Sequence, residues 1–171
     1  MKRLYAPWRG TYTTDSRDQK KRTKRAKDGT SIFTQFFQEP EKDRENFILK
    51  RLPHTIILLN TYPYNPGHLL VIPIRQVAEL YKLTQEEQHE LMDATTLSVK
   101  ILQDTLGNSG TNVGFNLGDS ASGGSIPEHL HVHIVPRWKG DTNFLPVLAQ
   151  TKQLSYDLKE VYNKLLPKFA I

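Results

Sequence analysis

Between Glu128 and Pro136 the chain reads His129-Leu130-His131-Val132-His133-Ile134-Val135. In a strand, side chains i, i+2 and i+4 point to one face. The run therefore sets His129, His131 and His133 in a row on one face of a sheet, with Leu130, Val132 and Ile134 on the other. Three imidazoles on one face are costly as packing, because each brings two ring nitrogens that need partners when buried. A lone histidine is most often a satisfied core residue; three in strict alternation point to chemistry. Strand spacing alone leaves two chemistries open, metal ligation and catalysis at phosphorus.

The segment just before the strand favours phosphorus. Ser120-Ala-Ser-Gly-Gly-Ser125 is small and flexible, so its backbone amides can approach an anion closely and form a concavity for it. Ser122 and Ser125 add hydroxyl donors. Phosphoryl or nucleotidyl transfer needs a nucleophile, donors for the nonbridging oxygens and an acid for the leaving group. A neutral imidazole attacks phosphorus and leaves again when protonated, and neighbouring imidazoles supply donors and a proton.

The rest of the chain predicts an antiparallel sheet around one long helix. Phe47 to Lys50 and Thr55 to Asn60 read as two strands joined at Pro53-His54. Tyr62 to Gly67 is dense in turn formers, and Leu69 to Pro73 is a third strand ended by proline. Thr84-Gln-Glu-Glu87 is a capping box opening a helix that Gly107-Asn-Ser-Gly110 stops. Val113 to Leu117 predicts a half-buried strand, and Leu130 to Val135 the last strand, stopped by Pro136. Leu154, Leu158, Val161, Tyr162 and Leu165 predict a C-terminal helix. With one long helix between strands, hairpins rather than βαβ units follow, giving an α+β fold. Three regions result: residues 1–46 as a polar, poorly patterned extension, 47–138 as the core domain, and 139–171 as a tail and helix.

The net charge of +5 invites a nucleic-acid reading. Residues 17–27, however, hold seven Lys or Arg and one Asp. Setting them aside leaves 16 basic and 17 acidic residues, so one solvated segment accounts for the excess. There is no cysteine, which excludes disulfides and thiolate metal sites. Apolar runs such as Ile56 to Leu59 are too short for a bilayer. The N-terminus lacks an apolar core for a secretory signal. The expectation is a soluble, cytoplasmic protein with no membrane partner.

With these residues in view the chain resembles the histidine-triad (HIT) superfamily, whose signature alternates histidine with apolar residues as His129 to Val135 does. Asn65-Pro-Gly-His68 followed by Leu69 to Pro73 is similar to the family's upstream element. Asn60, Asn116 and Ser125 also fit the family layout. Leu4-Tyr-Ala-Pro-Trp-Arg9 and Pro136-Arg-Trp138 look like the branch containing diadenosine tetraphosphate (Ap4A) phosphorylases and hydrolases. The resemblance implies a five-stranded antiparallel sheet, a homodimer, and attack at the α-phosphorus of a nucleotide through a nucleotidyl-histidine, resolved by phosphate or water. It implies His131 as nucleophile, His133 stabilising phosphate and leaving group, and His129 and His68 orienting the catalytic imidazole. Asn116, Gly124 and Ser125 would hold phosphate oxygens. Asn60 would bind ribose, with apolar residues between Phe47 and Leu59 forming a base pocket.

The chain departs from that pattern in two places. Many relatives in the branch carry Cys-x-x-Cys near the start of the domain, which with two histidines binds structural zinc. Here the comparable stretch is Ser31-Ile-Phe-Thr34, and Gln76 stands where a histidine is frequent. Hydroxyls are poor zinc ligands, so no metal and no other cofactor is expected. The loop from Asn116 to His129 is also a residue or two longer than usual, leaving open which of Ser120, Ser122 and Ser125 meets phosphate. His54 and His89 are expected on the surface. Trp8 and Trp138 suit either purine stacking or anchoring, and Arg137 either a phosphate or a surface pair. Two other functions fit the residues: a nucleoside phosphoramidase, and a nucleotide- or nucleic-acid-binding module using the basic segment.

Overall fold

The computed structural model describes residues 29–118, 126–142 and 157–170. Five strands form one antiparallel sheet: β1 (Ile48–Arg51), β2 (Thr55–Leu59), β3 (Leu69–Pro73), β4 (Gly110–Phe115) and β5 (Val132–Arg137), in the order β1-β2-β3-β5-β4. Among the described residues three α-helices accompany it: α1 (Ile32–Gln38), α2 (Gln85–Leu106) and α3 (Leu158–Phe169). The α+β fold and five-stranded antiparallel sheet expected from the sequence are present.

Strand alternation sorts the side chains into two layers. Leu49, Ile57, Leu59, Leu69, Val71, Val132 and Ile134 pack with Leu91, Ala94, Ile101 and Leu102 of α2 and Val161, Tyr162, Leu165 and Phe169 of α3. The opposite face carries Ile48, Ile56, Leu58, Leu70 and Ile72 against Phe33 of α1. The histidine row shares this second face, since His133 pairs with Leu70.

Local chemistry sets the ends of α2. The Thr84 side chain takes the Glu87 amide while the Glu87 carboxylate takes the Thr84 amide, satisfying two orphan donors at once. Gly107 ends the helix in the left-handed region, φ 62°, with its amide on the Gln103 carbonyl.

Several boundaries differ from the sequence expectation. Pro136 does not stop β5; it pairs with Thr111 of β4. Pairing of β5 with β3 ends at Ile134–Leu69, so the missing proline amide falls beyond β3, where no ladder bond is lost. The fourth strand starts at Gly110 rather than Val113, and it is a sheet edge: Val113 is 48% exposed rather than half-buried. Residues 32–38 form a helix within the stretch read as unpatterned. Its serine N-cap, Ser31, and the spacing of Phe33, Phe36 and Phe37 were the missed signals. Helix α3 begins at Leu158; Leu154, Trp8, the 4–9 motif and the basic segment 17–27 lie outside the described residues.

Candidate active site

The histidine row divides at its middle. His129 and His131 precede the ladder of β5, which begins at Val132, and both are buried, at 0% and 5% exposure. His129 Nε2 lies 2.7 Å from the Pro73 carbonyl at the end of β3. A carbonyl only accepts, so that nitrogen carries the proton and Nδ1 keeps its lone pair. His131 Nδ1 lies 2.8 Å from the carbonyl of His129, so His131 is protonated at Nδ1 and its Nε2 lone pair is left to react. Burial pushes His129 down to about 4, opposed by the bond to Pro73 and aided by neighbouring His131. Burial also lowers His131, against its bond to the His129 carbonyl and the Glu128 carboxylate. Both imidazoles are therefore neutral at pH 7, as a nucleophile must be.

The other half is built as a relay from the fully buried His68 to the partly exposed His133. The Tyr64 amide donates to His68 Nδ1 at 3.1 Å, and Asn60 Nδ2 lies 3.3 Å from the same atom. His68 is thus protonated at Nε2, which lies 3.0 Å from His133 Nδ1. His133 Nδ1 accepts, so His133 Nε2 carries a proton. That nitrogen lies 3.2 Å from Asn116 Nδ2; two donors cannot face each other, so the Asn116 amide is turned over to present its oxygen to the Nε2–H. The Tyr64 ring stacks on His133 at 5.8 Å. A groove of about 430 Å³ opens here, lined by Tyr64, Phe115, Asn116, His133 and Arg137 among others.

Gly67 makes the relay possible. It holds φ +79°, and a Cβ there would meet Leu106 Cδ1 at 2.5 Å. Only glycine lets the chain turn this close to α2 and deliver His68 into the sheet.

The geometry thus brings together His68, His129, His131, His133, Asn60 and Asn116. His68 bonds to His133, while His129 orients His131 through its carbonyl. Asn60 also closes its own turn, accepting the Tyr62 amide at 2.9 Å. Gly124 and Ser125 lie outside the described residues. Of the stretch expected to supply a base pocket, Ile48, Ile56 and Leu58 lie on the histidine face, whereas Phe47 packs against Tyr162. His54 and His89 are exposed. Trp138 anchors to the Leu106 carbonyl, and Arg137 pairs with Asp141 and Asn112.

Sequence reasoning missed the supports of the buried pair. Ser31 Oγ lies 2.6 Å from His129 Nδ1. Phe33 sets its ring edge-on to both His129 and His131, at 5.7 and 5.5 Å. Gln76 Oε1 receives the Ser31 amide at 2.8 Å and the Thr34 hydroxyl at 3.2 Å. Ser31, Thr34, Gln76 and His129 therefore meet at one point. They do not fit a zinc ion. One imidazole and three neutral oxygens are a poor donor set, and tetrahedral zinc would hold neighbouring ligand atoms roughly 3.3 Å apart. Among the described residues no cluster of three or more His, Cys, Asp or Glu could hold a metal.

Three histidines alternating with apolar residues at the start of an inner strand of a five-stranded antiparallel sheet are the pattern of a histidine-triad protein. The chain belongs to the HIT domain family, whose profile matches residues 41–140. It is 39% identical to the AP-4-A phosphorylase of Mycobacterium tuberculosis over 172 residues, covering 99% of this chain and 85% of that protein. It is 36% identical over 83 residues to the asymmetrical bis(5'-nucleosyl)-tetraphosphatase of Schizosaccharomyces pombe, 48% of this chain and 44% of that one. A Zn-bound histidine triad family protein from Mycobacterium smegmatis shares the fold at TM-score 0.64 and 22% identity, covering 81% and 92% of the two chains.

Proposed function

We propose that this chain is an enzyme that cleaves dinucleoside polyphosphates such as Ap4A through a nucleotidyl-histidine on His131. The carrying observation is the fixed tautomer of His131: its Nδ1–H is held by the His129 carbonyl at 2.8 Å, which leaves Nε2 as the reacting atom. The likeness to the AP-4-A phosphorylase across nearly the whole chain supports the substrate class.

In this reading His131 Nε2 attacks the α-phosphorus. The bond from that phosphorus to the bridging oxygen breaks, and ATP leaves. The His133 Nε2–H, set by the relay from Tyr64 through His68, exchanges its bond to Asn116 for one to the departing oxygen or a nonbridging oxygen. Asn116 adds an amide there, with Gly124 and Ser125 completing the phosphate cradle and Asn60 the ribose contact. Phosphate then attacks the adenylyl-histidine to give ADP, or water attacks to give AMP, and His131 is restored. The chain acts as a homodimer in the cytoplasm, without metal and without nucleic acid. Among the described residues no helix is long and apolar enough to cross a membrane.

The test is purified full chain with Ap4A, with and without inorganic phosphate, following ADP, AMP and ATP. ADP plus ATP only with phosphate identifies a phosphorylase, and AMP plus ATP without it a hydrolase. No cleavage in either arm, with turnover of an adenosine phosphoramidate instead, would replace this reading with the phosphoramidase one.

A further inference from the structure

The carbonyl that orients His131 belongs to a residue the sheet does not hold. His129 lies outside the strand ladder, whose pairing with β3 stops at Val132–Val71. Its backbone amide makes only a long, 3.3 Å turn bond to Ile126. The peptide that carries its carbonyl is held at Leu130, whose amide donates to the Val77 carbonyl at 2.6 Å, and its side chain is gripped at both ring nitrogens. One grip is the Pro73 carbonyl at 2.7 Å. The other is Ser31 Oγ at 2.6 Å, in a fully buried contact spanning 98 residues of chain.

The direction of that second bond follows from the first. His129 is protonated at Nε2 and neutral, so Nδ1 accepts and the Ser31 hydroxyl donates. The hydroxyl has one proton, and this bond takes it. The oxygen remains an acceptor for the Thr34 amide at 3.2 Å, as N-cap of α1. The serine is itself held: its amide goes to Gln76 Oε1, and Gln76 Nε2 goes to the Gly29 carbonyl at 3.1 Å. Gln76 lies three residues beyond Pro73, so the two grips on His129 are tied to each other. Phe33 and Phe37 close the ring's flanks at 5.7 and 5.9 Å.

We propose that Ser31 is a positioning residue of the active site: by donating to His129 Nδ1 it locks the residue whose carbonyl sets the tautomer and aim of His131. Ser31 touches no substrate. It acts through two links, hydroxyl to imidazole and carbonyl to imidazole. The cluster of Ser31, Thr34, Gln76 and His129, which does not fit a metal ion, is on this view a purely hydrogen-bonded clamp. The inference rests on His131 being the nucleophile, but its main readout does not depend on turnover.

Without the hydroxyl, His129 Nδ1 is a buried acceptor with no donor, and the ring keeps only its grip on Pro73. The residue whose carbonyl holds the His131 Nδ1–H is then fixed by one bond fewer. The experiment compares Ser31→Thr with Ser31→Val, which match in shape and differ by the hydroxyl, and adds Ser31→Gly, which keeps an acceptable helix cap. Imidazole ¹⁵N NMR of the full chain reads the tautomers directly. Wild type and Ser31→Thr should show His129 as the Nε2–H form and His131 as the Nδ1–H form. Ser31→Val and Ser31→Gly should show His131 as a mixture. In Ap4A turnover the same two variants should lose on the order of 10- to 100-fold in kcat, the scale of a small misplacement of a reacting group, with KM within about threefold.

His131 remaining wholly Nδ1–H in Ser31→Val would overturn the proposal. So would equal loss of kcat in the Thr and Val variants, which would make Ser31 a packing residue. If Ser31→Val does not fold, the Gly variant decides by the same criteria. A tautomer shift in a chain that does not cleave Ap4A would uphold the clamp and sink the substrate reading. Cleavage with unchanged tautomers would do the reverse.

Discussion

The two ends of the histidine row are built on opposite principles. At the closed end, His129 and His131 are desolvated, neutral and tied to backbone carbonyls. At the open end, His68 and His133 pass a chain of N–H donors from the Tyr64 amide toward the groove. Burial favours the uncharged form of an imidazole, and a carbonyl selects which nitrogen keeps its lone pair. The closed end is therefore suited to attack. A relay that ends on an N–H is suited to receive developing negative charge. The same residue type, three times in alternation, becomes two different reagents because of what stands behind each ring.

The largest expected break is at the closed end. His131→Ala should lower kcat by ~10⁴-fold or more, because the group that bonds to substrate is gone. Ap4A binding should persist, since ribose and phosphate contacts lie elsewhere. Wild-type protein quenched during turnover should carry a nucleotidyl adduct by mass spectrometry, and the variant should not. An adduct mapped outside the triad would remove the functional distinction between the two ends.

At the open end His133→Ala should cost about 10²-fold, the range of a proton donor or electrostatic stabiliser. His68→Gln should cost less, about tenfold, because it acts through the His133 tautomer. The leaving group sharpens the contrast. With an adenylate ester of a nitrophenol, whose departure needs little help, the His133→Ala loss should shrink several-fold while the His131→Ala loss should not. Parallel losses on both substrates would mean that the ends are not divided as drawn.

Stability should report the closed end as well. The unfolded chain protonates His129 near 6.5 and the folded chain only near 4. Between those values the unfolded state binds more protons, so stability is full above about pH 6.5 and falls as pH drops toward 4. His129 alone should cost about 2 kcal/mol between pH 7 and pH 5, with His131 adding in the same direction. Urea melts at the two pH values measure it. A flat profile would mean that the closed end is hydrated in solution.

Much of this division was legible before the fold was known, but unevenly. Alternation from His129 to Val135 is a period-two signal that no tertiary contact had to supply, and Thr84 and Glu87 cap each other within one turn. The groups behind the rings were not legible. Ser31 and His129 are 98 residues apart, and the Pro73 carbonyl and Tyr64 amide are backbone groups carrying no residue signature. Helix α1 was missed because seven residues give little periodicity, although Ser31, Phe33 and Phe37 spell a cap and an apolar face. Pro136 misled because a proline breaks a ladder only where a neighbour needs its amide.

The smallest expected effect is none at all, and it tests the closed end most economically. If Ser31, Gln76 and Pro73 hold His129 through hydrogen bonds, then a chelator has nothing to remove. Purified chain should contain no stoichiometric zinc by elemental analysis. Prolonged treatment with EDTA or 1,10-phenanthroline should leave both Ap4A turnover and Tm unchanged. Structural zinc contributes folding free energy outright, so a metal-held closed end would respond in both measurements. The open end supplies the internal reference: its relay runs through amides and imidazoles alone, and no chelator should affect it. One tightly bound zinc per chain, with Tm falling on its removal, would mean that the oxygens around His129 serve as ligands and that its tautomer is set by a cation.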